Sequence, residues 1–198
     1  MPTLTASPSY ASRAASLSQT RTGKVLIGLA ATVVIVVAAR LSIPLPFTPV
    51  PLTLQPLAVL GVGLALGPVE GFLVLLAYLA EGAIGLPVFS PTGLGGVAQV
   101  LGPTGGYLMA YPFVAALAGG TVRLLNTRTS RFLASLVAGI LAMALLYACG
   151  ALWFAQYTHH SLYATWIGAV APFLPGEIVK IFAAAGIYSA LTRPRRIV

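Results

Sequence analysis

The stretch Ala171 to Ala184, APFLPGEIVKIFAA, sets an acid, Glu177, and a base, Lys180, three residues apart inside a long apolar segment. Two prolines and a glycine stand directly before them. The chain has only three carboxylates against eleven Lys or Arg, so the pairing is conspicuous. A spacing of i, i+3 puts both side chains on one face of a helix. If that helix crosses a bilayer, each bare charge costs roughly 2.5 to 3.5 kcal/mol at its centre. An intramembrane ionisable residue is by default a functional hypothesis, and the chemistry these two offer is recognition. The ammonium suits an anionic group, and the carboxylate accepts hydrogen bonds from N–H donors. The alternative is a neutralising ion pair that lets the helix insert.

The elements that must position the pair follow from composition. Hydrophobic residues make up 58% of the 198 and charged residues 7%, against about 25% charged in soluble domains. Such a chain belongs in a membrane. Its apolar runs are continuous rather than alternating, which predicts an all-α protein and not a barrel. Six transmembrane helices are expected, at 25–43, 57–66, 69–84, 107–122, 132–156 and 162–191, the last broken or bent near Pro172 and Pro175. Residues 1–23, polar and without apolar periodicity, read as a disordered cytoplasmic tail, and 24–198 as one membrane domain. The proline-dense PLPFTPVPLTLQP after the first helix cannot continue it and reads as an ordered loop folded over a site. The Gly- and Pro-rich segment 85–106 is too apolar for a solvated loop and reads as a lid or re-entrant piece.

Basic residues test this layout. Arg13, Arg21 and Lys24 precede the first span, Arg123, Arg128 and Arg131 separate the fourth from the fifth, and Arg193, Arg195 and Arg196 follow the sixth. Six spans place all three clusters on one side, which the positive-inside rule makes cytoplasmic, with both termini there. These clusters account for most of the net charge of +8 without any nucleic acid. Arg40 and Lys180 are left over, toward the outer halves of their spans. Near them fall Gln55, Tyr78, Glu81, Ser90, Gln99, Thr104, Tyr107 and Tyr111. Polar groups converging under two ordered loops and walled by apolar helices describe a small-molecule pocket open to the outside.

Four runs, IPLPFTPVPLTLQPLAVL, GLPVFS with GLGG, GPTGGYLMAYP and LPGEIVK, resemble the biotin-specific BioY family, the substrate-binding S components of energy-coupling factor (ECF) importers. The similarity runs from about residue 24 onward, with the motifs in order. It implies an S-component-like bundle in the cell membrane that binds biotin near the outer face. Its implied partners are a membrane coupling subunit and two cytoplasmic ATPase subunits. Carried over by position, Glu177 and Lys180 match the family's acidic-x-x-Lys pair, where Asp is usual in place of Glu177. The added methylene extends the carboxylate by about 1 to 1.5 Å. Gln55 matches the TLQ of the first loop, Arg40 stands where a basic residue would approach the ligand, and Tyr107 closes the GPTGGY motif. With biotin as ligand, its carboxylate is expected to pair with Lys180, helped by Arg40, while Glu177 and Gln55 engage its ureido groups. S components dock through small residues four apart on the first helix, and here only Gly28 and Thr32 fit.

Simpler readings stand beside these. Arg40 also suits snorkelling to the interface, and Tyr78, Tyr107, Tyr111, Trp153, Tyr157, Tyr163 and Trp166 mostly suit an aromatic belt, with only Tyr107 gaining from its motif. His159 and His160 are too few for a metal site, and the lone Cys149 excludes an internal disulfide. The sequence has no GxxxxGK[ST] loop, so ATP-driven pumping falls to another chain. No Ser-His-acid set has credible placement, which argues against an enzyme and against any cofactor. Two other functions remain open: an S component for another vitamin, and a solitary or proton-coupled facilitator using Glu177 and Lys180 as a relay.

Overall fold

The computed structural model describes residues 20–192. Arg13, Arg193, Arg195, Arg196 and residues 1–19 of the disordered tail expected over 1–23 lie outside them, while residues 21–23 of that tail are helical. Helix α1 runs Arg21–Arg40. It starts three residues before the boundary at 24, because the Thr20 hydroxyl accepts from the Gly23 N–H at 3.0 Å and caps the first turn. Large apolar side chains at Val25, Leu29, Val33 and Val37 are exposed along one face of α1, while Thr32, Ile35, Ala38 and Ala39 are buried on the other. An apolar stripe turned outward is the arrangement of a lipid-facing helix.

One departure from an all-helical chain follows. The proline segment forms an antiparallel hairpin, β1 Ser42–Leu45 and β2 Thr48–Thr53, pairing Ser42 with Thr53, Ile43 with Leu52 and Leu45 with Thr48. Proline lacks a ladder donor and is tolerated on strand edges and at irregularities. Pro44 sits at the register shift between Ile43 and Leu45. Pro49 and Pro51 are two apart, so their missing N–H groups fall along one edge of a ribbon that has no third strand.

Helices α2, Gln55–Leu66, and α3, Pro68–Ala83, meet at Gly67, whose φ of 88° permits the sharp turn. The expected lid contains a short helix, α4, Gly96–Val100. Then come α5, Gly105–Leu125, and α6, Arg131–Thr158. The expected break in the last segment lies between α7, Leu162–Ala169, and α8, Leu174–Leu191, with a 3-10 turn at Ala171–Phe173. Pro175 stands in the first turn of α8, where its missing N–H has no helical partner to lose. By length and composition α1, α5, α6 and the α7–α8 segment can each cross a membrane. At 12 and 16 residues, α2 and α3 extend only about 18 and 24 Å.

Helix α5 is central, packing on α2, α3 and most extensively on α6, and α8 packs on α6 and α2. Small residues set these crossings: a Cβ at Gly63 would come within 2.8 Å of the Ala115 Cα. The two ends differ. At one, Lys24 pairs with Glu70 at 3.3 Å, Arg123 donates to the Leu66 carbonyl at 2.9 Å, and Asn126 donates to the Tyr188 hydroxyl at 3.0 Å. At the other lie the hairpin, the 85–95 loop, α4 and the α7–α8 break.

Candidate ligand-binding site

A small, partly open cavity lies between the hairpin, the start of α2, α4, α5, α6 and the start of α8. Its walls are mostly apolar or aromatic, including Val50, Leu52, Pro56, Leu108, Leu146 and Phe173. Four of the five residues expected from the sequence line it: Gln55, Tyr107, Glu177 and Lys180.

Glu177 and Lys180 project from the first two turns of α8 on the same face. Their side chains are 4% and 7% exposed, and the Lys180 ammonium donates to Glu177 Oε1 at 2.6 Å. Glu177 lies in the first turn, where the positive end of the helix dipole favours a carboxylate. Its second oxygen, Oε2, is buried with no hydrogen-bond partner. A buried acceptor left open costs about 1 to 3 kcal/mol, and more when charged. The pair is neutral as a unit and presents a donor beside an open acceptor.

Tyr107 contributes its ring. The hydroxyl donates across the bundle to the Ala169 carbonyl at the end of α7, a group the broken helix leaves without a helical partner. Gly150 on α6 makes room, since any Cβ there would overlap the Tyr107 ring. Tyr147 meets Tyr107 edge-on at 5.9 Å between centroids and lies 6.4 Å from Phe173, so three rings form an aromatic wall. Sequence reasoning did not single out Tyr147 or Phe173. A signal for Tyr147 exists: it stands mid-way along α6, far from the ends where belt aromatics sit.

Gln55 opens α2 beneath the hairpin and is 4% exposed. Its Nε2 donates to the Tyr78 hydroxyl at 2.8 Å, and that hydroxyl donates to the Val88 carbonyl at 2.9 Å. In the covering segment, Gln99 accepts from the Gly95 N–H at 3.2 Å and donates to the Ser90 carbonyl at 3.4 Å. The hairpin is tied to α7 where Thr48 donates to the Gly168 carbonyl at 2.6 Å.

Arg40 is placed elsewhere. It is exposed at the end of α1, does not line the cavity, and donates to the Pro87 carbonyl. This contact ties the first helix to the loop after α3. The chain carries it away because α1 ends at Arg40 and the next residues turn into the hairpin.

Comparisons with known proteins bear on the family and the fold. The sequence profile of the BioY family matches residues 11–196. A probable biotin transporter BioY of Pyrococcus horikoshii is 36% identical over 168 residues, covering 83% of this chain and 94% of that protein. The biotin transporter BioY of Rhizobium etli is 36% identical over 169 residues, covering 81% and 88%. The fold also matches a 2.1 Å crystal structure of the S-component for biotin from an ECF-type ABC transporter, with a TM-score of 0.78, 27% identity, and 93% and 94% of the two chains covered. With a profile match over nearly its whole length and relatives of this similarity, the chain belongs to the BioY family.

Proposed function

We propose that this protein is the biotin-binding specificity subunit of an ECF importer, capturing biotin from the outer side of the cell membrane. The observation that carries the reading is the open Glu177 Oε2 beside the Lys180 ammonium in an otherwise apolar cavity. A cyclic urea sets a C=O beside an N–H, the complement of that donor and acceptor. Lys180 is already engaged by Glu177, so a ligand carboxylate at the same place would bring two anions onto one ammonium. The ion pair therefore reads biotin's ureido group rather than its carboxylate, which departs from the pairing of Lys180 with the carboxylate expected from the sequence. Gln55 takes the second ureido N–H, and the Tyr107, Tyr147 and Phe173 rings cover the bicycle.

In this reading the chain makes six passes from about residue 24 onward, with both ends cytoplasmic. The support is the gathering of Lys24, Arg123 and the α5–α6 connection at the end away from the cavity. Its partners are a membrane coupling subunit and two cytoplasmic ATPases. Binding alone selects the loaded state; release inward needs work from those partners to shift the population.

The test is calorimetric titration of detergent-solubilised, ligand-stripped protein with biotin, thiamine and riboflavin. Saturable binding of biotin alone, near one per chain, is expected. Folded protein that ignores biotin removes the substrate assignment.

A further inference from the structure

The orientation of one amide decides what the cavity can recognise, and a buried hydroxyl outside the cavity decides that orientation. Tyr78, on α3, is fully buried and does not line the ligand space. Its hydroxyl has one proton and touches two groups, the Val88 carbonyl at 2.9 Å and the Gln55 amide at 2.8 Å. A carbonyl only accepts, so the proton belongs to the bond to Val88. Toward Gln55 the same oxygen can then only accept, which requires the nitrogen of the amide and not its oxygen to face it. A flipped amide would set oxygen against oxygen, or take the proton from Val88 and leave a buried carbonyl open, at about tenfold or more in the equilibrium. Edge-on packing of the Tyr78 and Phe89 rings, 5.5 Å apart, holds the phenol in place. The Gln55 Oε1 has no hydrogen-bond partner among the described residues and sits on a side chain that lines the cavity.

From these contacts we infer that Tyr78 is a positioning residue for ligand specificity: it fixes Gln55 so that the cavity presents an amide oxygen, and so selects a ligand with an N–H at that place. The inference rests on the biotin reading and deepens it. Together Glu177 Oε2 and Gln55 Oε1 supply one acceptor for each ureido N–H, with Lys180 left for the carbonyl between them. Without Tyr78 the amide turns freely and an N–H is no longer required at its position.

The experiment measures binding of biotin and of its two mono-N-methyl derivatives, each lacking one ureido N–H, to the wild type, Tyr78→Phe, Gln55→Met and the double variant. In the wild type, the derivative methylated on the side facing Gln55 is expected to bind at least tenfold more weakly than biotin. Tyr78→Phe brings that ratio to within about threefold, Gln55→Met does the same, and the double variant resembles Gln55→Met, since the two act as one unit. A ring-fluorinated tyrosine at position 78 keeps the bond to Val88 while weakening the oxygen as an acceptor. It is expected to move the ratio in the same direction even if Tyr78→Phe proves unstable. A ratio that stays at its wild-type value in both position-78 variants, or equal losses for all three ligands, overturns the positioning role and leaves Tyr78 a structural tether. Wild-type protein that binds none of the three overturns the biotin reading itself, and this inference with it.

Discussion

Among the described residues, two acid–base pairs are built in opposite ways. Glu177 and Lys180 lie on one helix, 2.6 Å apart, with side chains 4% and 7% exposed. Lys24 and Glu70 join α1 to α3 at the far end, 3.3 Å apart and 55% and 41% exposed. The exposed pair is screened and free to exchange partners with water, so it contributes about 1 kcal/mol at most. The buried pair has lost its hydration and recovers only part of it, because one carboxylate oxygen remains open. Proximity of charge does not separate a binding device from a clasp; the unmet hydrogen-bonding capacity does.

The sharpest way to break this comparison is to remove Lys180. Lys180→Met leaves Glu177 buried without a counter-charge, and biotin affinity is expected to fall more than about a hundredfold by titration. The paired replacement Glu177→Met with Lys180→Met sharpens the point. Exchanging a buried ion pair for apolar side chains is often neutral or stabilising, so thermal melting should hold or rise while biotin binding vanishes. A double variant that still bound biotin would reduce the pair to an insertion device. Next in size is Glu177→Gln, which keeps the shape and halves the acceptor capacity, for an expected loss of about ten- to thirtyfold. For Tyr107 the ring outweighs the hydroxyl: Tyr107→Ala should cost at least tenfold in affinity, and Tyr107→Phe less than about threefold with some loss of thermal stability from the bond to Ala169. The smallest effect belongs to the exposed pair. Lys24→Ala is expected to change stability by less than about 1 kcal/mol, an effect that shrinks with added salt, and to leave biotin affinity unchanged.

Local patterns carried much of this. Apolar runs located the helices, and the i, i+3 spacing placed Glu177 and Lys180 together on one face before any coordinates. What escaped depended on contacts between distant segments. The hairpin was hidden because proline density argues against regular structure, and only the absence of a third strand makes room for Pro49 and Pro51. Arg40 donates to the Pro87 carbonyl, 47 residues away, and is not among the residues that line the cavity, a placement that only the contact between distant segments reveals. Tyr147 looked like one more apolar-span residue, since its neighbours across the cavity, Tyr107 on α5 and Phe173 in the turn before α8, come from distant parts of the chain.

The shortness of α2 sets how far a captured molecule still has to go. From the Gly67 turn, beside the basic end, twelve residues of helix lift Gln55 by about 18 Å at most, and any tilt lowers it further. The hydrocarbon layer is about 30 Å thick. With the Gly67 turn at one edge of that layer, a solute resting against Gln55 lies about 12 Å or more inside the other edge. The surrounding bilayer must thin there, or the hairpin and the loop after α3 must fill the depth above. Membrane thickness, a property of the lipid and not of the protein, thus becomes a variable that tunes how deeply a bound solute is seated.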